Sequence, residues 1–233
     1  MTKILSETFH NLMHLFFPHV CEGCGTDILD NDALLCAICH TKLPETNFIE
    51  KENNLVEQKF YGQLKVDAAG AAFYFTKEGM LQHLIKQLKY HNNKQIGFYL
   101  GRQLGNFLAQ TNRFNDVDVI IPLPLNPRKE KKRGYNQAAV IAEGVNSIWQ
   151  KPVNTKAVER KIFTETQTHK DRINRWQSMR NVFEVTNADE LSGKNILLID
   201  DIITTGATLE ACGEKILCVP NTKLFIATVA FTI

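Results

Sequence analysis

The sequence lacks a long apolar run and carries little net charge. No stretch approaches the roughly 18 consecutive apolar residues that a membrane-spanning helix needs. Segment 4–20 is interrupted by Glu7, His10 and His14 and has no small-residue cleavage site. We therefore interpret it as an amphipathic helix, not a signal peptide, and expect a cytoplasmic protein without membrane insertion. With a net charge of +2, the surface as a whole does not attract nucleic acid, so any such binding would need a local basic patch.

Cysteines are few as well, but four of the six form two Cys-x-x-Cys pairs. Without an export signal they are not naturally disulfides. Two such pairs place four thiolates around one tetrahedral centre, which is typical of a structural zinc site. The alternative is a redox dithiol, for which one pair would suffice. The remaining Cys212 and Cys218 are interpreted as buried small apolar residues. The predicted zinc ligands are Cys21, Cys24, Cys36 and Cys39.

The chain is predicted to divide near residue 50. The polar segment 50–58 (EKENNLVEQ) is typical of a linker or exposed loop, which gives an N-terminal domain at 1–50 and a larger domain at 51–233. In the larger domain, strand-like and helix-like patterns alternate, which predicts an α/β fold. The predicted strands are 66–75, 117–123, 196–199 and 224–231. The predicted helices are 78–90, 96–110, 137–149 and 209–217.

The strongest functional pattern is LLIDDIITTGAT at 197–208. An apolar strand ends in Asp200 and Asp201, and a loop with one glycine leads into a helix. Ligands of open α/β sheets bind where strands end. Threonine hydroxyls, inward backbone amides and a helix N-terminus suit a phosphate monoester, whereas the carboxylates suit ribose hydroxyls or a metal shared with a diphosphate. The sequence has neither a Walker A loop nor a Gly-x-Gly-x-x-Gly turn. It therefore predicts a site for a sugar with a terminal phosphate; the alternative is an ordinary strand–loop–helix with a capping threonine.

This pattern closely resembles the phosphoribosyl pyrophosphate (PRPP) motif of type I phosphoribosyltransferases. That motif has four apolar residues, two acids, two apolar residues and then Thr-Thr-Gly-x-Thr. With the two cysteine pairs in front of it, the whole chain resembles the ComF family of competence and DNA-uptake proteins. Further segments that carry the resemblance are 16–25 (FFPHVCEGCG), 88–90 (LKY), 122–128 (PLPLNPR), 133–137 (RGYNQ) and 164–167 (TETQ).

The resemblance implies a fold and a set of residue roles. The fold would be a type I phosphoribosyltransferase-like parallel sheet flanked by helices, behind a small zinc-ribbon-like domain. Asp200 and Asp201 would be the catalytic pair that holds the ribose hydroxyls. Lys89 is a further candidate for the diphosphate, and segment 160–180 would close over the site. The residues that would cradle the 5-phosphate are Thr204, Thr205, Gly206, Ala207 and Thr208. The basic residues that would face the pyrophosphate, or alternatively solvent or DNA, are Arg128, Lys129, Lys131, Lys132 and Arg133.

Two functions are open at this point. The first is a Mg²⁺-dependent transferase that moves a phosphoribosyl group to an acceptor that the sequence does not name, with Mg²⁺ and basic side chains neutralising the leaving diphosphate. The second is a non-enzymatic DNA-uptake accessory protein that binds single-stranded DNA and a helicase partner. Tyr135 and Trp176 lie beside basic residues, a combination that single-strand binding uses. The intact acids and threonines favour binding of PRPP or a related phosphorylated ribose under both readings.

Overall fold

The computed structural model describes residues 20–27, 33–161 and 182–233. Their contacts divide the chain into two compact units, Met1–Leu43 and Pro44–Ile233. Within the described ranges, every helix is too short or too polar to span a membrane. The predicted amphipathic helix at 4–20 lies outside these ranges except for its last residue.

The division between the units falls earlier than the predicted boundary at residue 50, and backbone pairing is the reason. Residues after Leu43 already run beside a strand of the larger unit. The amide of Tyr74 donates to the carbonyl of Pro44 at 2.7 Å, and the amide of Thr46 donates to that of Ala72 at 3.0 Å. These bonds make 44–50 part of the second unit.

The N-terminal unit is described over two short stretches. Val20 and Asp27 form an antiparallel bridge around the first cysteine pair. In the second pair, Cys36 immediately precedes helix α1, Ala37–Thr41, and Cys39 lies within it.

The second unit contains a sheet and its flanking helices. The strands are β1 Ala68–Phe75, β2 Val119–Pro122, β3 Val158–Arg160, β4 Phe183–Val185, β5 Asn195–Ile203 and β6 Lys223–Thr232. The helices are α2 Leu55–Gln58, α3 Met80–Tyr90, α4 Lys94–Gln110, α5 Pro127–Arg133, α6 Gln137–Trp149, α7 Ala188–Leu191 and α8 Ala207–Leu217.

Four of these strands form one parallel sheet in the order β1-β6-β5-β2. An isolated parallel bridge between Ile120 and Val153 extends it beyond β2, and β3 pairs separately with β4. Because all four strands run the same way, their carboxyl ends meet at one edge. The loops that follow β1, β2 and β5 are therefore gathered there.

Helices cover both faces of the sheet. The connection from β1 to β2 and that from β5 to β6 run in opposite directions across the sheet, so right-handed crossovers put α3 and α4 on one face and α8 on the other. Helix α6 packs closely against α4. A Cβ atom on Gly101 would lie 2.1 Å from the carbonyl oxygen of Ile141, so only glycine permits this approach. The predicted parallel sheet flanked by helices is confirmed.

The segment 50–58 is not the predicted exposed linker. It contains α2, and Val56 and the side chain of Asn54 are buried. The amide nitrogen of Asn54 donates to the carbonyls of Phe48, Lys51 and Ala69 at 2.7–3.0 Å, while its oxygen caps α2. A polar composition here serves a buried hydrogen-bond network, which local hydropathy cannot distinguish from a loop.

Candidate functional site

The loop that follows β5 has the form that phosphate binding requires. Residues 204–206 join the end of β5 to the first turn of α8. Gly206 precedes the helix in the left-handed conformation, with φ of 87°, and its carbonyl accepts from the amide of Glu210 at 2.9 Å. The predicted phosphate-binding side chains that reach solvent are those of Thr204, Thr205, Ala207 and Thr208.

This loop also presents backbone donors. The first amides of an α-helix have no intrahelical acceptor, and the helix dipole makes them attractive to an anion. Helix α8 has 11 residues, and no side chain caps its first turn through Gly206. The amide of Ala207 makes only a long contact of 3.4 Å with the hydroxyl of Thr205. The loop thus combines exposed hydroxyls with helix-terminal amides, a set that can bind a phosphate.

The two acids of the motif face different surroundings because successive strand side chains point to opposite faces. Asp201 is buried, with 7% of its surface exposed, and its Oδ2 lies 2.8 Å from the ammonium nitrogen of Lys89 on α3. Asp200 lies on the side of α8, where the positive charge of Arg160 attracts it. Its Oδ1 accepts from the backbone amide of Asp201 at 2.8 Å.

Burial governs the charge of Asp200. Removal from water and then the negative charge of Asp201 raise the pKa of Asp200 to about 8. The bond from the Asp201 amide and the charges of Lys89 and Arg160 oppose this rise in pKa only in part. Asp200 therefore needs a further donor or cation to stay ionised, and a bound ligand with hydroxyl donors would supply one.

Arg160, which the sequence pattern does not distinguish from a loop residue, approaches this site from the last position of β3. Burial lowers the pKa of Arg160, which the charge of Asp200 partly restores. Its guanidinium lies 5.2 Å from the ring centre of Phe183, and its buried Nε has no hydrogen-bond partner in the described structure. The predicted closing segment 160–180 lies outside the described residues from 162 onward.

The predicted basic loop is a short helix. Helix α5 begins one turn after β2 at the same sheet edge as 204–208. The side chain of Asn126 accepts from the amide of Arg128 at 3.0 Å and starts the helix, and Gly134 ends it with φ of 80°. Of the predicted cations, only Arg133 is half-buried. The exposed ones are Arg128, Lys129, Lys131 and Lys132.

An exposed aromatic residue lies beside this helix. The guanidinium of Arg133 is 5.6 Å from the ring centre of Tyr90, which is 69% exposed. Tyr135, predicted as the aromatic partner, is buried and donates its hydroxyl to the carbonyl of Leu88. The aromatic residue available here is therefore Tyr90, whereas Trp176 lies outside the described residues.

The four cysteines of the N-terminal unit form a compact cluster. Their sulfur atoms all lie within 4.8 Å of one another, and those of Cys24 and Cys36 are 3.8 Å apart. Ligand sulfurs about 2.3 Å from a tetrahedral zinc ion are about 3.8 Å apart, so the spacing fits. Backbone amides of Gly23 and Cys36 donate to the sulfur of Cys21 at 3.4 and 3.2 Å. These four cysteines could bind a metal such as zinc.

The thiols cannot all ionise without a cation. Burial would raise the pKa of Cys21, but hydrogen bonds from backbone amides outweigh it and lower that pKa. Burial and the neighbouring sulfurs raise the pKa of Cys39 to about 12. A divalent cation would relieve this repulsion. Of the two other cysteines, Cys212 is buried as predicted, but Cys218 is exposed because it follows the end of α8.

Comparison with curated proteins identifies relatives that are named for competence and for DNA utilization. The chain is 32% identical to competence protein F of Haemophilus influenzae over 135 residues, which cover 55% of this chain and 58% of that protein. It is 34% identical to competence protein ComFC of Bacillus subtilis over 99 residues, covering 42% and 38%. The DNA utilization protein YhgH of Escherichia coli K12 is 26% identical over 140 residues, covering 59% and 61%. The matches thus span less than two thirds of these relatives, and they confirm the predicted resemblance to the ComF family.

Some solved structures align with part of this chain at low sequence identity. A glutamine PRPP amidotransferase from B. subtilis aligns with a TM-score of 0.42 and 17% identity over 57% of this chain and 26% of that chain. A purine phosphoribosyltransferase from Pyrococcus horikoshii aligns with a TM-score of 0.36 and 19% identity over 57% and 75%. No protein-family profile matches the chain.

Proposed function

We propose that this homologue of competence protein F binds PRPP through the loop 204–208 and is a phosphoribosyltransferase-like protein of DNA uptake. The observation that carries the proposal is the loop itself, where three exposed threonines lie in or beside the first turn of α8 and no side chain caps that turn through Gly206. Such a set recognises a phosphate monoester. The adjacent acids on β5 make the ligand a sugar phosphate instead of a free phosphate ion.

Each part of PRPP has a partner in this proposal. Thr204, Thr205 and Thr208, with the amides of Gly206 and Ala207, hold the 5-phosphate. Asp200 and Asp201 face the ribose hydroxyls, and hydroxyl donors would stabilise Asp200 as an anion. The cations of α5 face the diphosphate, which brings its own Mg²⁺. The ion bound to the ligand neutralises part of the diphosphate charge as it leaves.

The reaction proposed for this site is displacement at the anomeric carbon of the ribose. The bond from that carbon to the pyrophosphate oxygen breaks, a bond to a nucleophilic acceptor forms, and the acceptor loses its proton. Pyrophosphate leaves with both bonding electrons, so positive charge develops on the sugar ring. In this proposal Asp200 and Asp201 hold the ribose hydroxyls and so orient the ring for the displacement. Positioning and electrostatics are the chain's contribution, and the acceptor is a small nucleophile of undetermined class.

Titration of PRPP with Mg²⁺ in a calorimeter tests the phosphate loop. Replacing Thr204 and Thr208 together by valine keeps their shape and removes two hydroxyl donors, and we expect a loss of affinity of at least about tenfold. Thr155→Val is the control, since Thr155 is also exposed but lies far along the chain from the loop. Equal affinity in the loop variant and the wild type would refute this site.

A second candidate function, single-stranded DNA binding, is supported by the pairing of Arg133 with Tyr90 beside the exposed cations of α5. Bases stack on exposed aromatic rings while basic side chains follow the phosphates. In this account the chain is a non-enzymatic DNA-uptake accessory protein in the cytoplasm, acting beside a helicase partner. Phosphate loop and basic helix share one sheet edge, so both ligands can be tested on the same protein.

Binding of fluorescent single-stranded DNA over a range of salt concentrations tests this surface. The variant Lys131→Ala/Lys132→Ala/Arg133→Ala should bind more weakly and show a shallower dependence on salt, because fewer phosphate counterions are released. The matched control Lys65→Ala/Lys194→Ala/Lys223→Ala removes three charges next to the amino ends of β1, β5 and β6. If both variants lose affinity equally, the basic helix is not a specific DNA surface.

A further inference from the structure

Lys89 is fixed within the acidic pair by the packing of α3. Leu88, the preceding residue, is fully buried, and its carbonyl accepts the hydroxyl of Tyr135. The last turn of α3 therefore has little freedom, and Lys89 directs its ammonium group to Asp201 at 2.8 Å. It is the single hydrogen-bonding or charged partner described for that buried carboxylate.

The cations around Asp200 and Asp201 balance the two acids. Lys89 pairs with Asp201 and also attracts Asp200, to which Arg160 adds a second positive charge. With both acids ionised, two carboxylates and two cations have no net formal charge, and with Asp200 protonated the cluster is net positive. The affinity of a protein site for a divalent ion depends on the negative charge of its ligands, and the two resident cations offset that charge here.

Geometry disfavours a divalent ion at Asp201 as well. An ion bound to either oxygen of this carboxylate, at about 2.1–2.4 Å, would lie no more than about 7 Å from the ammonium group of Lys89. Like charges at that distance repel each other, most strongly where burial lowers the effective dielectric constant. Hydroxyl groups carry no charge and meet no such repulsion.

We propose that Lys89 is a specificity-determining residue that excludes divalent cations from the acidic pair and reserves it for the neutral hydroxyls of a pentose. The pentose ligand in this inference rests on the proposed function. The test does not, because it measures metal binding alone. On this proposal, Mg²⁺ enters the site only on the diphosphate. Lys89 thus contributes to binding through Asp201 and does not itself contact the diphosphate.

Binding of Mn²⁺ alone, followed by electron paramagnetic resonance on the full chain with its zinc content matched, tests the proposal. Wild type should show no saturable binding up to about 1 mM, where weak divalent sites fill. Lys89→Gln and Lys89→Met should each gain a Mn²⁺ site with a dissociation constant at least about tenfold below that wild-type limit. Adding Asp201→Asn to either should abolish it, and the exposed Lys86→Gln on the same helix should behave as wild type.

Two results would overturn the proposal: Mn²⁺ binding by wild type that Asp201→Asn removes, or folded Lys89 variants that gain no site. The wild-type measurement is decisive even where a variant fails to fold. A parallel titration with PRPP separates the two proposals. Failure of wild type to bind PRPP would refute the proposed function and leave the exclusion of Mn²⁺ standing. Loss of PRPP affinity in Lys89→Gln without any gain of Mn²⁺ binding would assign Lys89 to the diphosphate and refute this inference.

Discussion

The ring of Phe60 lies against Gly206 so closely that a Cβ atom on the glycine would be 3.2 Å from its Cε1 atom. The backbone of Gly206 also has φ of 87°, a conformation that side chains disfavour. Two independent constraints therefore require glycine at the turn from β5 into α8. Phe60, in the segment that follows α2, thus packs against the turn from β5 into α8.

Gly206→Ala should destabilise the chain and weaken PRPP binding together. We expect the free energy of unfolding to fall by about 1–3 kcal/mol, because the backbone is strained and Phe60 must shift. Urea denaturation and calorimetry measure the two effects. Gly193→Ala is the matched control, since Gly193 has φ of 71° but open space around its missing Cβ. It should lose stability and keep its affinity; a Gly206 variant that also keeps its affinity would contradict the loop's role.

Asn54→Ala should destabilise the larger unit strongly. The side chain is buried and bonds three carbonyls while capping α2, so truncation leaves several buried acceptors and donors unpaired. We expect a loss of about 2–4 kcal/mol in the free energy of unfolding. Asn106→Ala, at an exposed position of α4, should leave stability unchanged or raise it slightly. If both variants lost comparable free energy of unfolding, the Asn54 hydrogen-bond network would not stabilise the unit more than an exposed asparagine does.

Stability of the ligand-free protein should fall as the pH rises between about 4 and 8 because of Asp200. Its pKa is raised in the folded chain from 3.8 to about 8, so the folded state keeps a proton that the unfolded state has lost. The stability that Asp200 contributes is fully present below the pKa of the unfolded chain. It is lost as the pH rises through the pKa of Asp200 in the folded chain. Asp200→Asn should therefore stabilise the protein at pH 9 by about 1–2 kcal/mol. Unfolding at pH 5, 7 and 9 checks this, with the exposed Asp189→Asn expected to follow wild type.

The N-terminal unit should hold one zinc ion through four thiolates. Cys39→Ser removes a buried ligand, and we expect the purified protein to lose zinc and the N-terminal unit to lose its fold. PRPP binding, located in the other unit, should persist. Zinc content by mass spectrometry and resistance to proteolysis measure the first effects. The exposed Cys218→Ser should keep full zinc, and a Cys39 variant that does so too would show that the cluster is not the metal site.

Much of the larger unit's architecture follows from its hydrophobic patterning. The helix predicted at 137–149 has those bounds in the structure, because an apolar face runs through its whole length and Asn136 caps its start. By contrast, β5 was predicted at 196–199 but extends to Ile203. The carboxylates of Asp200 and Asp201 end the apolar run, although the backbone continues to pair with β6 beyond them. Polar residues inside a functional strand therefore conceal its true length.

The motif itself could be found from sequence, but its surroundings could not. Lys89 and Asp201 are far apart in the chain and meet only because the fold brings the last turn of α3 to β5. Arg160 reaches the site through β3, too short a strand to leave a periodic signal. Tyr135, proposed from its place in the sequence as an aromatic partner for single-stranded DNA, is buried and donates its hydroxyl to an acceptor on α3. Tertiary contacts of this kind decide which polar residues take part in a site.

The acidic pair on β5 and the loop after it are proposed to bind PRPP. Calorimetric titration of PRPP with Mg²⁺ into wild type and into Asp200→Asn/Asp201→Asn tests this proposal most directly, with the exposed pair Asp116→Asn/Asp189→Asn as the charge-matched control. We expect saturable binding by wild type and by the control, and loss of binding in the β5 variant. Absence of binding in wild type, or equal binding by all three proteins, would contradict the proposal.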